Sequence, residues 1–198
     1  MIKPIETIYN GYKFRSRLEA RWAVFFDTLG IKYIYEPEGY VFDDGTHYLP
    51  DFYLPNSKTF FEVKGLGLTK EDELKIDKLI FYSGKNVAIG YSDMSFQATS
   101  IYGIKDEETI FGMDSKSDSW LIQCYSCNEY QFIGSIGSWA CRGCGYYDGD
   151  SGFECFCSGD WPDTSYSWNK PSREVLDAFI TARQARFEYG EHPNDLFI

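Results

Sequence analysis

The sequence contains no long apolar run, and its first residues do not form an apolar stretch. No segment approaches the roughly 20 consecutive apolar residues that cross a bilayer. The first residues, Met-Ile-Lys-Pro-Ile-Glu, lack the apolar stretch of a secretory signal peptide. We therefore expect a cytoplasmic protein that makes no membrane contact. In that compartment its six cysteines indicate metal ligands or free thiols rather than disulfides.

Basic residues are also scarce, and they are unevenly distributed. The chain of 198 residues has 19 Lys and Arg against 30 Asp and Glu, a net charge of −11. Residues 1–90 hold 12 basic and 13 acidic side chains, whereas residues 91–198 hold 7 and 17. Phosphate contacts require Lys and Arg. A nucleic-acid-binding face is therefore expected in the first half, and the second half is suited to avoiding a polyanion or to meeting a basic partner.

A charged hairpin is the most informative pattern that is present. Residues 48–64 read Tyr-Leu-Pro-Asp-Phe-Tyr-Leu-Pro-Asn-Ser-Lys-Thr-Phe-Phe-Glu-Val-Lys, with turn formers between two aromatic-rich runs. A turn centred between the Asn and the Ser places Asp51 opposite Glu62, with Cβ atoms about 5 Å apart. Lys64 shares their face because side chains alternate along a strand.

Two opposed carboxylates repel each other unless a cation lies between them. Mg²⁺ is commonly held by one or two carboxylates together with phosphate oxygens, and a neighbouring lysine can orient the attacking water. The alternative is an exposed acid pair screened by Lys64. The tripeptide acid-x-Lys is common by composition, and it recurs at 73–75 and 114–116. The predicted strand context and the opposite Asp51 are what favour the metal site.

A helix is predicted over residues 16–29, with Gly30 after its end. Its apolar stripe consists of Leu18, Trp22, Phe25, Phe26 and Leu29. Ser16-x-x-Glu19 fits a capping box, so the local pattern favours Glu19 as a helix cap over Glu19 as a site residue. The arginines of this region form either a solvated face or a set of phosphate contacts; they are Arg15, Arg17 and Arg21.

The remaining pattern of the first half alternates strands with a second helix. We predict a helix at 70–82 and strands at 31–35, 40–42, 46–54 and 86–91. The apolar 86–91 segment is typical of a strand covered by helices on both faces. The fold class predicted is therefore α/β, with a mixed sheet of the α+β kind.

Two CxxC pairs form the strongest metal signal. Cys124 and Cys127 precede Cys141 and Cys144 by a spacing that allows two turns to aim four thiolates at one zinc ion. Asn128 and Gly145 follow the two pairs and suit the positive φ of such turns. Free thiols are the alternative, and Cys155 and Cys157 are interpreted as bystanders.

The end of the chain predicts another helix. Pro171-Ser172 opens a helix that runs to about residue 189, before Gly190. Its stripe includes Val175, Leu176, Phe179 and Ala182 and turns basic at Arg183 and Arg186. The two arginines are interpreted as dipole partners of the helix end or as further phosphate contacts. Residues 92–119 are polar and poorly periodic, and one short strand is expected there, at 109–112.

These motifs in this order resemble the PD-(D/E)XK nuclease superfamily. The resemblance rests on Phe-Arg-Ser-Arg-Leu-Glu-Ala-Arg-Trp at 14–22, Tyr-Leu-Pro-Asp-Phe at 48–52 and Phe-Glu-Val-Lys-Gly at 61–65. It covers residues 9–91 and is similar to small nuclease-like proteins of phages and bacteria. It implies a restriction-endonuclease-like core, and a location in bacterial or phage-infected cytoplasm.

The resemblance also implies roles for particular residues. Asp51 and Glu62 become ligands of Mg²⁺ or Mn²⁺, together with the carbonyl oxygen of Val63. Lys64 becomes the residue that positions water or stabilises developing charge, and Glu19 completes the site from the first helix. This implied role of Glu19 differs from its local interpretation as a cap.

The sequence therefore predicts a nuclease-like core at 1–91, a connector at 92–119, a zinc-ribbon-like acidic module at 120–168 and a C-terminal helix at 169–198. The activity expected is metal-dependent hydrolysis of phosphodiesters in DNA, with a structural zinc ion. The alternative is a non-catalytic binding protein on a nuclease scaffold, whose acidic half engages a basic protein or mimics nucleic acid. A homodimer is compatible with either function.

Overall fold

A computed structural model describes residues 4–65, 67–94, 99–102, 117–118, 120–124, 126–133, 141–146 and 172–187. These residues form a mixed α+β fold with a mixed sheet. The described helices are α1 (Arg17–Thr28), α2 (Lys70–Ser83) and α3 (Arg173–Gln184).

The described strands are β1 (Thr7–Tyr9), β2 (Tyr12–Phe14), β3 (Ile34–Tyr35), β4 (Tyr40–Val41), β5 (His47–Tyr48), β6 (Phe52–Leu54), β7 (Thr59–Lys64), β8 (Asn86–Tyr91), β9 (Thr99–Tyr102), β10 (Ser117–Asp118), β11 (Trp120–Gln123) and β12 (Tyr130–Ile133). The main sheet has the order β10-β9-β8-β7-β6-β3. Its β7 and β8 are parallel and are joined along the chain by α2, while the other neighbours are antiparallel. The remaining strands pair as the hairpins β1–β2, β4–β5 and β11–β12.

The first two helices confirm the sequence prediction closely. Ser16 caps α1 by accepting from the N–H of Glu19, and Gly30 follows the helix with φ +67°. Thr69 caps α2 in a full capping box with Asp72, and Gly84 ends that helix in the left-handed conformation. In both helices the stop is a glycine in a backbone conformation that side chains with a Cβ rarely adopt.

The sheet is buried between two apolar layers, which explains the continuous apolar character of β8. On one face Trp22 of α1 contacts Phe61 of β7 at a ring-centroid distance of 4.8 Å, and Phe25 contacts Phe179 of α3 at 4.4 Å. The other face packs against α2 through a separate cluster that includes Phe60, Ile76, Leu79, Val87 and Ile89. Four of the six β8 residues are buried, so the predicted strand with helices on both faces is confirmed.

The predicted strand at 46–54 is wrong as a single element. Its first part, β5, pairs with β4 in a small sheet, and its second part, β6, belongs to the main sheet. The break falls at residues 49–51, because Pro50 has no N–H to contribute to a ladder. The carbonyl of Asp51 instead accepts from the N–H of Glu36 at 2.9 Å. The strand predicted at 31–35 is likewise reduced to its last two residues.

The segment 92–119 contains two strands, β9 and β10, that extend the main sheet beyond β8. The strand predicted at 109–112 lies outside the described residues. The C-terminal helix α3 ends at Gln184, earlier than predicted, and Leu176 of its predicted apolar stripe is 45% exposed. The buried stripe instead includes Ala178, because α3 lies on α1 along the face that carries Val175, Phe179 and Ala182.

Close packing at Gly90 gives a stability prediction. A Cβ on Gly90 would lie 2.5 Å from Cε2 of Trp22 and 2.6 Å from Cε1 of Phe61, two buried rings that have no free space to move into. We expect Gly90→Ala to lower the free energy of unfolding by about 1–3 kcal/mol through overpacking. Urea denaturation measures the effect. Gly67→Ala is the matched control, since Gly67 is exposed and its Cβ would meet no atom within 4 Å; equal stability of the two variants would contradict the packing described.

Candidate functional site

The hairpin β6–β7 has the register that the sequence predicts. Phe52 pairs with Phe61, and the turn between the strands lies at residues 55–58. Asp51 and Glu62 are therefore neighbours at the open end of the hairpin. The N–H of Asp51 donates to Oε1 of Glu62 at 3.2 Å, and the N–H of Val63 donates to Oδ2 of Asp51 at 2.8 Å. Each carboxylate thus has one oxygen held by a backbone N–H.

Both carboxylates are buried. Asp51 is 7% exposed and Glu62 is 2% exposed. Burial raises the pKa of Asp51 well above its usual value, and the adjacent charge of Glu62 raises it further. Burial also raises the pKa of Glu62, although the charge of Lys64 opposes that shift. Two adjacent, buried carboxyl groups need positive charge nearby if both are to remain ionised.

Lys64 supplies one such charge from the same strand. Its Nζ lies 3.8 Å from Oε2 of Glu62 and 3.0 Å from Oδ1 of Asp72 on α2. Burial lowers the pKa of Lys64, but the two carboxylates outweigh it and the pKa is raised overall. For Asp72, hydrogen bonds from Thr69 and Lys64 outweigh burial and lower the pKa to about 2. Lys64 is therefore an ammonium ion at neutral pH, held between the carboxyl groups of Glu62 and Asp72.

Arg15 supplies the second positive charge. Its Nη2 forms an ion pair with Oδ1 of Asp51, and its Nε lies 2.8 Å from Oε1 of Glu36 and 3.9 Å from Oε2 of Glu19. Glu36 has a positive φ of 46°, which is uncommon for a residue with a side chain. Its backbone N–H is bonded to the carbonyl of Asp51, so this conformation keeps Glu36 beside the site.

Ser16 caps α1 as predicted, but the carboxylate of Glu19 accepts from the Ser16 hydroxyl and from the N–H of Arg15 rather than from the N–H of Ser16. The N–H of Glu19 donates to Oγ of Ser16 at 3.2 Å, and Oγ of Ser16 donates to Oε1 of Glu19 at 2.7 Å. Its other oxygen accepts from the Tyr35 hydroxyl at 2.7 Å and faces Arg15. The carboxylate oxygens of Glu19, Asp51 and Glu62 do not all lie within 4.8 Å of one another in the described structure. Arg15 bridges Glu19 to Asp51 instead.

The charged end of the hairpin opens onto a cleft of about 600 Å³. The β4–β5 hairpin forms one wall, and Arg15, Asp51, Glu62 and Lys64 lie on the other side. The hydroxyl of Tyr48 is buried in this region beside the carboxylate of Glu62. Burial and then the charge of Glu62 raise the pKa of Tyr48.

Several residues of this site were not predicted from the sequence. Tyr35, Glu36, Tyr48 and Asp72 reach it from β3, the following turn, β5 and α2. Each of them lies in a segment whose own pattern indicates only a strand, turn or helix cap. The turn 36–39 has one informative feature, two glutamates beside a proline and a glycine, but no partner for them is apparent without the fold.

Among the predicted nucleic-acid contacts, Arg15 is the one that lines the described cleft. Arg17 and Arg21 lie on the first turns of α1 and are partly buried. Arg183 of α3 donates to the carbonyl of Met94 at 3.4 Å, which ties α3 to the end of β8. Arg186 follows α3 and is exposed. Their contact with phosphate stays a prediction.

The four predicted zinc ligands come together. The sulfur atoms of Cys124, Cys127, Cys141 and Cys144 all lie within 4.8 Å of one another. Asn128 and Gly145 have φ of +59° and +76°, as the turn pattern predicts. Their N–H groups donate to the carbonyls of the first cysteine in each pair, at 2.8 Å in both turns. The cluster can hold a structural metal ion such as zinc. Cys155 and Cys157 lie outside the described residues.

Two side chains join this cluster to the charged hairpin. Gln131 is 1% exposed and donates to Sγ of Cys141 at 2.7 Å, while its Oε1 accepts from the N–H of Arg142. Arg142 donates to Oγ1 of Thr59 at 3.3 Å and to the carbonyl of Phe132 at 3.1 Å. Hydrogen bonds from Cys144 and Gln131 outweigh burial and lower the pKa of Cys141 to about 7. The cluster is thus docked at the turn end of the hairpin, opposite the carboxylates.

Metal analysis tests the cysteine cluster. We expect about one zinc ion per chain in protein purified without chelator, because the four thiol ligands already lie within ligand distance of a shared centre. Cys141→Ser lowers the zinc content and the melting temperature, since it removes a thiolate that Gln131 and the backbone N–H of Cys144 orient. Cys155→Ser is the matched control and should change neither quantity. Loss of zinc from the control but not from the Cys141 variant would contradict the ligand set.

Comparison with known proteins does not assign the chain to a family. No protein-family model matches the chain, and a search of curated proteins found no match. None of the described helices has the length and apolar content needed to span a membrane. The features that the described residues establish are a mixed α+β fold, a cleft over two buried carboxylates, and a cysteine cluster that can hold a structural metal ion.

Proposed function

We propose that the protein is a metal-dependent deoxyribonuclease of the PD-(D/E)XK superfamily. The single observation that carries this proposal is the buried pair Asp51 and Glu62, aligned by backbone N–H groups at the mouth of a cleft with Lys64 beside it. A purely structural hairpin gains nothing from burying two like charges side by side, because that arrangement destabilises the fold.

The donor set suits Mg²⁺ or Mn²⁺. Both ions prefer carboxylate oxygens, and Asp51 and Glu62 each retain one oxygen that no backbone N–H occupies. In the described structure those oxygens face cationic groups, Oδ1 of Asp51 towards Arg15 and Oε2 of Glu62 towards Lys64. The buried hydroxyl of Tyr48 adds a polar group beside Glu62. Glu19 contributes through Arg15 rather than as a direct ligand in this geometry.

Hydrolysis adds water across a P–O bond: the water oxygen bonds to phosphorus, and the leaving oxygen departs and takes a proton. A bound Mg²⁺ or Mn²⁺ supplies charge neutralisation and Lewis acidity at the phosphate. Lys64 is protonated, so its role is to donate a hydrogen bond to the attacking water or to the charge that develops on phosphate oxygens. Asp72 holds the ammonium group in place for this role.

Cleavage assays with paired variants test the assignment. We expect Asp51→Asn and Lys64→Ala each to reduce Mn²⁺-dependent cleavage of DNA by at least about 100-fold, because each removes charge that stabilises the transition state. Supercoiled, linear and single-stranded DNA are the substrates. Lys75→Ala is the matched control, since Lys75 belongs to a second acid-x-Lys tripeptide on α2 and is paired with Glu71. Cleavage by the Asp51→Asn, Lys64→Ala double variant at the wild-type rate would refute the proposed site.

A second candidate function is protein binding without catalysis. The observation that favours it is the acidic balance of residues 91–198, with 17 acidic and 7 basic side chains. Such a surface attracts a basic protein and repels DNA.

A pull-down from bacterial extract distinguishes the two functions when it is combined with the cleavage assay. The binding function predicts a stoichiometric basic partner that is lost at high salt, and no cleavage of any DNA substrate. The nuclease function predicts cleavage whether or not such a partner is captured. Retention of the partner in about 1 M salt would argue against an electrostatic contact, because the screening length is then about 3 Å.

A further inference from the structure

The guanidinium of Arg15 lies at the centre of the charged end of the hairpin. It contacts Asp51 and Glu36 directly and lies near Glu19, which places one cation among three carboxylates from three different segments. The oxygen of Asp51 that it contacts is Oδ1, and the other oxygen, Oδ2, already accepts from the N–H of Val63. A divalent cation that binds Oδ1 of Asp51 therefore competes with Arg15 for that oxygen.

The backbone of Arg15 is fixed while its side chain is accessible. The N–H of Arg15 donates to Oε2 of Glu19 at 3.2 Å and to the hydroxyl of Tyr35 at 3.0 Å, just before the cap of α1. Its side chain is 51% exposed and lines the cleft. Rotation about the side-chain bonds can thus move the guanidinium from Asp51 into the cleft without any change in the main chain.

Lys64 lacks this freedom. Its side chain is 22% exposed, and Asp72 holds its ammonium group at 3.0 Å from the side opposite Glu62. Arg15 and Lys64 therefore differ in kind: Lys64 is a fixed charge, and Arg15 is a charge that can be displaced. A guanidinium also presents paired N–H donors that match two oxygens of a phosphate, which an ammonium group does not.

We propose that Arg15 has two positions: it neutralises Asp51 when no divalent cation is bound, and it yields that place to the cation and then binds a phosphate oxygen of the substrate. The second position rests on the proposed nuclease function, whereas the first does not. In this arrangement Glu36 steadies the guanidinium in the first position, which explains why a residue with positive φ is kept beside Asp51. Arg15 is thus a phosphate-binding residue whose availability depends on metal occupancy.

Binding of Mn²⁺ in the absence of DNA tests the first position. We expect Arg15→Gln to bind Mn²⁺ about tenfold more tightly than the wild type in calorimetric titration, because a charged competitor is removed. Mn²⁺ should also raise the melting temperature of Arg15→Gln by more than that of the wild type. Lys13→Ala is the matched control; Lys13 is exposed, lies two residues earlier and pairs with Glu6, so its affinity for Mn²⁺ should equal that of the wild type.

Cleavage by the same variant tests the second position. We expect Arg15→Gln to cleave DNA at least about tenfold more slowly at saturating Mn²⁺, despite its tighter metal binding, because the substrate phosphate loses a charged donor. A folded Arg15→Gln variant that binds Mn²⁺ no more tightly than the wild type overturns the first position. Tighter binding with undiminished cleavage overturns the second.

The outcomes also separate this inference from the proposed function. Tight Mn²⁺ binding by Arg15→Gln together with no DNA cleavage by the wild type supports displacement of Arg15 and refutes the nuclease assignment. If circular dichroism shows Arg15→Gln to be unfolded, Arg15→Met replaces it, since methionine keeps a long side chain but removes the charge that neutralises Asp51. That variant should bind Mn²⁺ more tightly than the wild type, and equal affinity overturns the proposal.

Discussion

The antiparallel register of β6 and β7 is the constraint on which the rest of the structure depends. Pairing Phe52 with Phe61 buries both rings against α1 and places Asp51 beside Glu62. A shift of one residue would turn the buried aromatic rings away from the core, so the core fixes the register strongly. The charged site is thus positioned by apolar packing, which explains how a fold can hold two like charges together.

The free-energy cost of burying two adjacent carboxylates is offset by two cationic side chains, Lys64 and Arg15. Lys64 is held between Glu62 and Asp72, and Arg15 is held between Asp51 and Glu36. Removing one member of a buried ion pair leaves an uncompensated charge, which is more destabilising than the pair itself is stabilising. The ion pairs of Lys64 with Asp72 and of Arg15 with Glu36 therefore matter to folding, because they hold each cation beside its buried carboxylate. The oxygen of Asp51 that pairs with Arg15 is also the oxygen that the proposed metal ion would use.

Local sequence patterns predicted much of this site. The residues that they missed are those whose roles depend on contacts with distant segments of the chain. Turn residues, alternation and capping predicted the hairpin register, both ends of α1 and α2, and the positive φ of Asn128 and Gly145, because each depends on neighbours within a few residues. The role of Glu36 depends on Arg15, 21 positions earlier, and the role of Asp72 depends on a strand before α2. The split of the 46–54 strand between two sheets is equally a consequence of tertiary pairing.

The cysteine cluster contacts the same hairpin at its other end. Arg142 reaches Oγ1 of Thr59, the first residue of β7, and Gly143 lies so close to the turn that a Cβ there would be 3.0 Å from the carbonyl oxygen of Asn56. Phe132 of the same module packs on Phe61 at 5.1 Å. One strand, β7, is therefore held by a cysteine cluster at its start and carries Glu62 and Lys64 at its end. Under the proposed nuclease function, the acidic module would contribute by fixing the strand that carries the charged residues rather than by binding the substrate.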